Sequence, residues 1–514
     1  MMKRIICGLL VCLMLFSMVA CAGGGAPVTT EPVTDTQAQD TDAGSDAVSD
    51  TRTETESQSE VLTNPKGEAL VEDEILEVKR VNYQGTSIRI LQKDSSIDEM
   101  YAEKKVGELI NDAVWERNKF VEDYLGVTLE YDSAPASVQD YAQFKAKVDA
   151  AVLSGWDQYH IISNYTYNAA TLIEEGSFLD YNSIAAEDNF IDLSKRWWNQ
   201  SFHEEALINN KFFMLSGDIT TTAIDWAEVV FYNNDLIKEY VGEDVDILEM
   251  VYDWEWTYEK FLEMIHQVGD GEDTGVWGYT APTNSYSLDG LIMGMAMDLT
   301  YRDSKNYPNM SINTRRNIEI GERLRTLYNN DASAQCGEGQ GADIFCDGKS
   351  MFYMQRLITA GKDLRSTTLD YGVIPPPLYD ENQEEYRVVP QDNYSSLSLL
   401  VHVQAALPAV TATLEVMGSE SYINLRHCIQ EKCYKQRYLK TAPKGMMFDY
   451  IVDNIYYDFG YTYAKVIAHP VQLIRNYARY PSGHNYYIES LTSSLESTEV
   501  SSTTGLEAFL KKFF

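Results

Sequence analysis

The sequence predicts an α/β protein with a parallel sheet covered by helices on both faces. Three observations predict it. Short strand signals alternate with amphipathic helical stretches from Tyr83 onward, glycines stand where those stretches end, and the composition suits a soluble chain with a sizeable core. The chain has 514 residues, 44% of them hydrophobic, which at about 100–200 residues per domain favours two or three domains.

Taken in order, Ser87-Ile88-Arg89-Ile90-Leu91 reads as the first strand. Ile110, Val114, Val121 and Leu125 then form one helical face, closed by Gly126 at the C-cap. Val127, Leu129 and Tyr131 alternate as a second strand. Phe144, Val148 and Val152 mark a second helix ending at Gly155. Tyr159 to Ile162 is a third strand, followed by a helix from Asn168 to Glu175. A β-α-β-α-β order implies right-handed crossovers and parallel pairing. After Pro408 the chain is mainly helical, through Thr411–Met417, Tyr422–Leu439, Phe448–Phe459 and Thr462–Tyr480. A Ser/Thr-rich linker and a short helix, Gly505–Phe514, are expected at the end. Met293, Met295 and Met297 read as core filler, and Trp254 and Trp256 as packing.

The charge narrows the function. Against 41 Lys and Arg stand 78 Asp and Glu, a formal net charge of −37. A nucleic-acid binder needs a basic face to displace counterions, so that class is excluded. No GxSxG, HExxH, P-loop or strand-bound GxGxxG motif occurs, and the histidines are scattered without metal-ligand spacing. No catalytic residue, metal or cofactor is expected.

The first residues read as an export signal. Lys3 and Arg4 precede an apolar run from Ile5 to Phe16, and Met18-Val19-Ala20-Cys21 resembles the end of a bacterial lipoprotein signal. That resemblance implies removal of residues 1–20 and lipidation of Cys21. Residues 21–80 are polar and acidic and are expected to form a disordered tether. Cys336, Cys346, Cys428 and Cys433 are the remaining cysteines of the exported chain, allowing three pairings. Cys428 and Cys433 lie about 140° apart on an α-helix, so a local bridge between Cys336 and Cys346 is expected instead. Their spacings match no common zinc pattern.

Further landmarks follow one another in a distinctive order: Glu116-Arg117-Asn118 before Tyr124-Leu125-Gly126-Val127, then Asp157-Gln158-Tyr159-His160-Ile161, then Phe231-Tyr232-Asn233-Asn234-Asp235-Leu236 and Thr257-Tyr258-Glu259-Lys260-Phe261-Leu262. Asp347-Gly348-Lys349-Ser350-Met351, Tyr371-Gly372-Val373-Ile374-Pro375-Pro376-Pro377 and Asp392-Asn393-Tyr394 complete the series. In this order the chain resembles the extracellular solute-binding lipoproteins of carbohydrate ABC importers, similar to maltose-binding protein. It departs from them in carrying aromatics such as Trp197-Trp198 where small-residue loops recur.

The resemblance implies a two-lobe, type II periplasmic-binding-protein-like fold with mixed sheets flanked by helices and a hinge between lobes. The N-terminal lobe is assigned to 81–226 and 347–400, and the C-terminal lobe to 227–346 and 401–514. It further implies a monomer that binds a small carbohydrate in the cleft, meets ABC permease subunits, and touches the outer face of the cytoplasmic membrane only through its lipid. Sugars offer C–H faces to aromatic rings and hydroxyls to planar polar groups. Candidate contacts are therefore Asn164, Tyr165 and Tyr167 after the third strand, Asp225 and Trp226 before the first crossing, Tyr286, then Tyr353, Gln355 and Arg356, and finally Asn393 and Tyr394. Two other classes compete: a surface-attached glycoside hydrolase using paired carboxylates, and an envelope protein without a small ligand.

Overall fold

The computed structural model describes Thr63 and residues 69–137, 140–155, 158–283, 285–337 and 341–513, within the compact unit Val61–Phe514. The export signal, Cys21 and most of the expected tether lie outside the described residues. The end of that acidic stretch is ordered, contrary to expectation. Glu72–Glu74 forms a 3-10 turn, Arg196 Nε donates to Asp73 at 2.8 Å, and Lys195 Nζ donates to Glu77 at 2.8 Å. Two basic side chains on the folded body meet the acids there, and buried Val78 adds apolar contact. No helix of the described residues is long and apolar enough to cross a membrane.

Eleven strands are described: β1 (Thr86–Lys93), β2 (Val127–Ala134), β3 (Ile161–Tyr165), β4 (Glu228–Asn233), β5 (Trp277–Ala281), β6 (Thr300–Arg302), β7 (Pro308–Met310), β8 (Ala334–Cys336), β9 (Ser350–Arg356), β10 (Tyr371–Ile374) and β11 (Ser395–Leu399). The first sheet has the order β11-β3-β1-β2. β1 runs parallel to β2 and β3, and β11 closes the edge antiparallel to β3. This is the expected β-α-β-α-β unit, with helices Leu109–Leu125 and Tyr141–Ser154 as its crossovers. Gly126 and Gly155 end those helices in the left-handed region (φ 59° and 62°), which a side chain disfavours.

The second sheet, β10-β4-β9-β5-β8, is mixed; β4 is antiparallel to both β10 and β9, while β5 is parallel to β9 and β8. All six residues of β4 are buried, and its middle, Val229 to Tyr232, reads as a continuous apolar run rather than an alternating one. The two sheets, each with its helices, form two lobes.

Pairing corrects the assigned lobe boundaries. β9 and β10 lie inside the 347–400 segment given to the N-terminal lobe, yet they flank β4 in the second sheet. Only β11 returns to the first sheet, because its partner is the open edge of β3. Helix Leu407–Glu420, given to the C-terminal lobe, packs on β1 and on helix Leu109–Leu125 of the first.

Three helix boundaries also differ. The helix expected over Thr462–Tyr480 breaks into Phe459–Thr462 and Pro470–Arg479, because Pro470 starts a helix and restricts the residue before it; Ala468 and His469 sit at φ 65° and 53°. The helix expected over Phe448–Phe459 runs instead over Ala442–Asp453, with Pro443 in its first turn. The expected Ser/Thr linker is part of one 20-residue helix, Leu491–Leu510, because Leu491, Leu495, Leu506 and Phe509 give it a buried face. Trp197 and Trp198 are core residues at 0% and 3% exposure.

The expected Cys336–Cys346 bridge is absent; both are free thiols. Cys336 ends β8 near Tyr258, Tyr279 and Tyr328, whereas Cys346 ends helix Gly341–Cys346 and its Sγ donates to the Asp363 carbonyl at 3.6 Å. The run Tyr422–Leu439 is helical as expected, but its turns are π-type, over Ser421–Arg426 and Cys428–Leu439.

Candidate functional site

Ligands of open α/β sheets bind beyond the carboxyl ends of parallel strands. Here β1 ends at Lys93 and β3 at Tyr165, and the chain leaving β1 forms a 3-10 turn, Asp94–Glu99. That turn, the start of helix Leu109–Leu125, the segment Thr221–Trp226 and the turn after β9 enclose a cleft of about 420 Å³. The volume falls within the range of small-molecule pockets. Because Ile358 and Lys362 follow β9 while Ser95, Ser96 and Glu99 follow β1, the cleft is lined from both lobes.

Its floor is a saturated polar network. Lys93 Nζ donates to Glu99 Oε2 at 2.9 Å, and Ser395 Oγ donates to the same oxygen at 2.5 Å. Thr222 N donates to Glu99 Oε1 at 3.0 Å, and Thr222 Oγ1 donates to Ser395 Oγ at 3.0 Å. Burial alone drives the Glu99 carboxyl up, but the Lys93 charge and the bonds from Ser395 and Thr222 outweigh it and hold it below the usual range. The network ties β1 to β11 and to the Thr221–Trp226 segment where the chain leaves the first lobe.

Asp225 is the second carboxylate of the cleft. Tyr434 Oη donates to Asp225 Oδ1 at 2.7 Å and Thr221 Oγ1 to Oδ2 at 3.1 Å. Burial pushes it up to about 6; the bonds from Tyr434 and Thr221 pull the other way and the nearby Glu99 charge adds to the rise. Beside it, Trp226 forms a flat wall. The Tyr165 ring lies 5.9 Å from it at 33°, and the Arg356 guanidinium 5.7 Å from its ring on the other lobe's strand. Arg356 Nη1 donates to Gln391 Oε1 at 2.9 Å, and Gln391 N donates to the Trp226 carbonyl at 3.0 Å.

Tyr165, Asp225, Trp226 and Arg356 are thus brought together. Tyr167 and Tyr394 do not line the cleft; they lie where the end of β3 meets the turn before β11, with Tyr167 N donating to the Asp392 carbonyl at 3.2 Å and Thr166 N to the Tyr394 carbonyl at 2.9 Å. The Tyr394 ring itself is buried against Phe202 and Tyr457. Asn164 is buried in β3, its Oδ1 accepting from Tyr165 N at 2.8 Å. Tyr353 belongs to the second-lobe core, packed on Phe231 and Phe345, and Gln355 Nε2 donates to its hydroxyl at 3.2 Å. Asn393 is partly buried in the turn before β11. Tyr286 falls in the first turn of helix Ser285–Gly294, and its side chain lies outside the described residues.

Sequence reasoning missed Ser95, Ser96, Glu99, Thr222 and Lys362. The carboxyl-end rule that picked out Asn164 to Tyr167 after β3, applied equally to β1, points to Asp94–Glu99.

A second buried cluster lies where β4 and β11 meet the C-terminal helices. Arg475 Nε donates to Asp289 Oδ1 at 2.7 Å and its Nη2 to Asp392 Oδ2 at 3.2 Å, while Tyr461 Oη donates to Asp289 Oδ2 at 2.8 Å. Glu228 lies close to this group and its carboxyl is raised, first by burial and then by the Asp289 charge. No group of His, Cys, Asp and Glu among the described residues has the arrangement of a metal site.

No protein-family model matches the chain, and no curated protein matches its sequence. Solved structures do match its fold. The galacto-N-biose-/lacto-N-biose I-binding protein of an ABC transporter from Bifidobacterium longum, in complex with lacto-N-biose, is 12% identical at a TM-score of 0.54, covering 84% of this chain and 98% of its own. The cyclic alpha-maltosyl-1,6-maltose binding protein from Arthrobacter globiformis is 14% identical at a TM-score of 0.52, covering 83% and 100%. An ABC substrate-binding protein from Listeria monocytogenes, in complex with cycloalternan, is 12% identical at 0.51, covering 84% and 99%. The fold is therefore the two-lobe α/β fold of ABC substrate-binding proteins.

Proposed function

We propose that the chain is the substrate-binding component of an ABC importer, capturing a sugar or oligosaccharide between its lobes and delivering it to permease subunits. The observation that carries this reading is the cleft lined from both lobes, with the Trp226 ring, packed on Tyr165, beside hydroxyl and carboxylate groups. An aromatic face packs on the C–H patches of a pyranose, and the polar groups take its hydroxyls. The three structures of like fold carry sugar-binding names or bound sugars, which supports the same ligand class here. Lipidation at Cys21, a position at the outer face of the cytoplasmic membrane, and a monomeric state complete the reading.

Capture fits the carboxylates better than hydrolysis. A glycoside hydrolase needs one carboxyl to donate a proton and another to attack or to activate water. Of the four carboxylates that line the cleft among the described residues, Glu99 and Asp225 already accept hydrogen bonds from the protein on both oxygens, while Asp98 and Glu108 are exposed to solvent. Calorimetry and tryptophan fluorescence against a panel of neutral mono- and oligosaccharides test the proposal. Saturable binding without consumption of the sugar is expected. Silence across the panel, or turnover of chromogenic glycosides that disappears on Asp225→Asn, overturns it.

A further inference from the structure

Cys428 and Cys433 stand five residues apart on the π-helical segment Cys428–Leu439. On an α-helix that spacing separates the Cα atoms by about 8.7 Å, too far to bridge when the limit is about 7 Å. A π-turn changes this, because its hydrogen bond joins residue i to i+5, as Lys440 N does in donating to the Lys435 carbonyl at 2.9 Å. Residues five apart then sit one turn above each other, at the roughly 5–6 Å Cβ separation of neighbours on adjacent turns. The two side chains meet accordingly: the Cys428 thiol is held below its ordinary value first by a hydrogen bond with Cys433 and also by the Lys432 charge, against the opposing effect of burial.

Cys428 also borders a cavity of about 400 Å³, lined in addition by Asp112 and Glu116 of helix Leu109–Leu125 and by His427 and Lys432. Cys336 and Cys346 lack this setting, since burial raises both thiols, with Asp331 adding to the rise at Cys336 and Asp363 at Cys346. Cys428 is itself 4% exposed and is reached through that cavity; of Cys336, Cys346 and Cys428 it alone has a thiol held below its ordinary value.

We propose that Cys428 and Cys433 form a redox-active dithiol that closes to an intrahelical disulfide when a small external disulfide enters the cavity beside Cys428. The Cys428 thiolate attacks one sulfur of the external disulfide, whose S–S bond breaks and releases one thiol that carries away the Cys428 proton. Cys433 Sγ then attacks Cys428 Sγ, the mixed disulfide breaks, and the second external thiol leaves with the Cys433 proton. One external disulfide is reduced to two thiols, and one S–S bond forms within the chain. The bond staples one turn of a helix that packs on helix Leu109–Leu125 of the first lobe and on helix Ala442–Asp453 beside the second.

The test incubates the full reduced chain with 2-hydroxyethyl disulfide, alkylates it in denaturant and maps the peptides by mass. The expected result is joint loss of alkylation at Cys428 and Cys433, a spanning peptide lighter by two hydrogen atoms, reversal by dithiothreitol, and continued alkylation of Cys336 and Cys346. In Cys433→Ser the hydroxyethyl mixed disulfide should persist on Cys428. Continued alkylation of both residues at equilibrium overturns the proposal. So do separate mixed disulfides on the two wild-type thiols, or equal oxidation of Cys336 and Cys346. The wild-type map decides even if the variant does not fold.

Discussion

Glu415 lies inside the first lobe on helix Leu407–Glu420, 2% exposed. Trp198 Nε1 donates to its Oε2 at 2.9 Å and Asp192 N to the same oxygen at 3.3 Å. Burial pushes the carboxyl up to about 8, against the pull of those two bonds. An unfolded glutamate titrates near 4.3. Between those values the native state keeps a proton that the unfolded state releases, so this residue's contribution to stability is full below about pH 4 and is lost as pH rises toward 8. At 1.36 kcal/mol per pH unit over the span from 4.3 to 7, the loss accumulated by pH 7 is about 4 kcal/mol. Glu415→Gln keeps the shape and an acceptor for Trp198 but does not titrate. Chemical unfolding of both proteins at pH 5 and pH 8 isolates the effect, because titrations elsewhere cancel in the difference. Between pH 5 and pH 8 the variant should gain about 3–4 kcal/mol relative to wild type. An equal difference at both pH values, or a variant that loses ground at pH 8, means the native form is the carboxylate and the reasoning fails.

Three further outcomes follow from the geometry. Trp226→Ala removes the aromatic wall and should weaken saccharide binding by about 1–2 kcal/mol, roughly 5–30-fold by calorimetry; unchanged affinity places the ligand elsewhere. Arg475→Met strands Asp289 and Asp392 beside Glu228 and should cost about 3–5 kcal/mol in unfolding experiments, whereas a neutral effect means the cluster relaxes by taking up protons. Gly418→Ala sets a methyl 2.5 Å from Cδ1 of the buried Trp197 ring and should cost about 1–3 kcal/mol, unless the indole has room to shift.

The first sheet was legible because its signals are local. Helical spacing from Ile110 to Leu125 and strand alternation from Val127 to Tyr131 are each decided within sixteen residues, and left-handed glycines mark the helix stops. Lobe membership was not legible in the same way. Ser350–Arg356 reads as a strand wherever it goes; that it lies between β4 and β5 is settled by pairing with segments more than 70 residues away. The π-turns were hidden too, since π and α geometries share the same helical residue types, and the α assumption set Cys428 and Cys433 apart. At the cleft, Asp225 and Trp226 were found because large aromatics beside acids are conspicuous. Ser95, Ser96 and Glu99 were missed because a short polar turn has no period to detect.

The way the cleft handles charge bears on what it can hold. A chain of formal charge −37 repels anions at long range, and an anionic ligand needs a basic pocket to overcome that. Among the described residues that line the cleft, the lysine is Lys362, and it shares the wall with Asp98, Glu99, Glu108 and Asp225. Lys93 is committed to Glu99, so it offers no charge to a guest. A cation would find carboxylates, yet those of Glu99 and Asp225 already accept from hydroxyl, ammonium and amide donors, and giving those bonds up costs about 0.5–1.5 kcal/mol for each neutral one and more for the charged one. A neutral polyol avoids both penalties: its hydroxyls exchange water for the remaining lone pairs, and its C–H face covers Trp226. The proposed uncharged ligand is thus consistent with how Glu99 and Asp225 are already used, rather than with how many acids the chain carries.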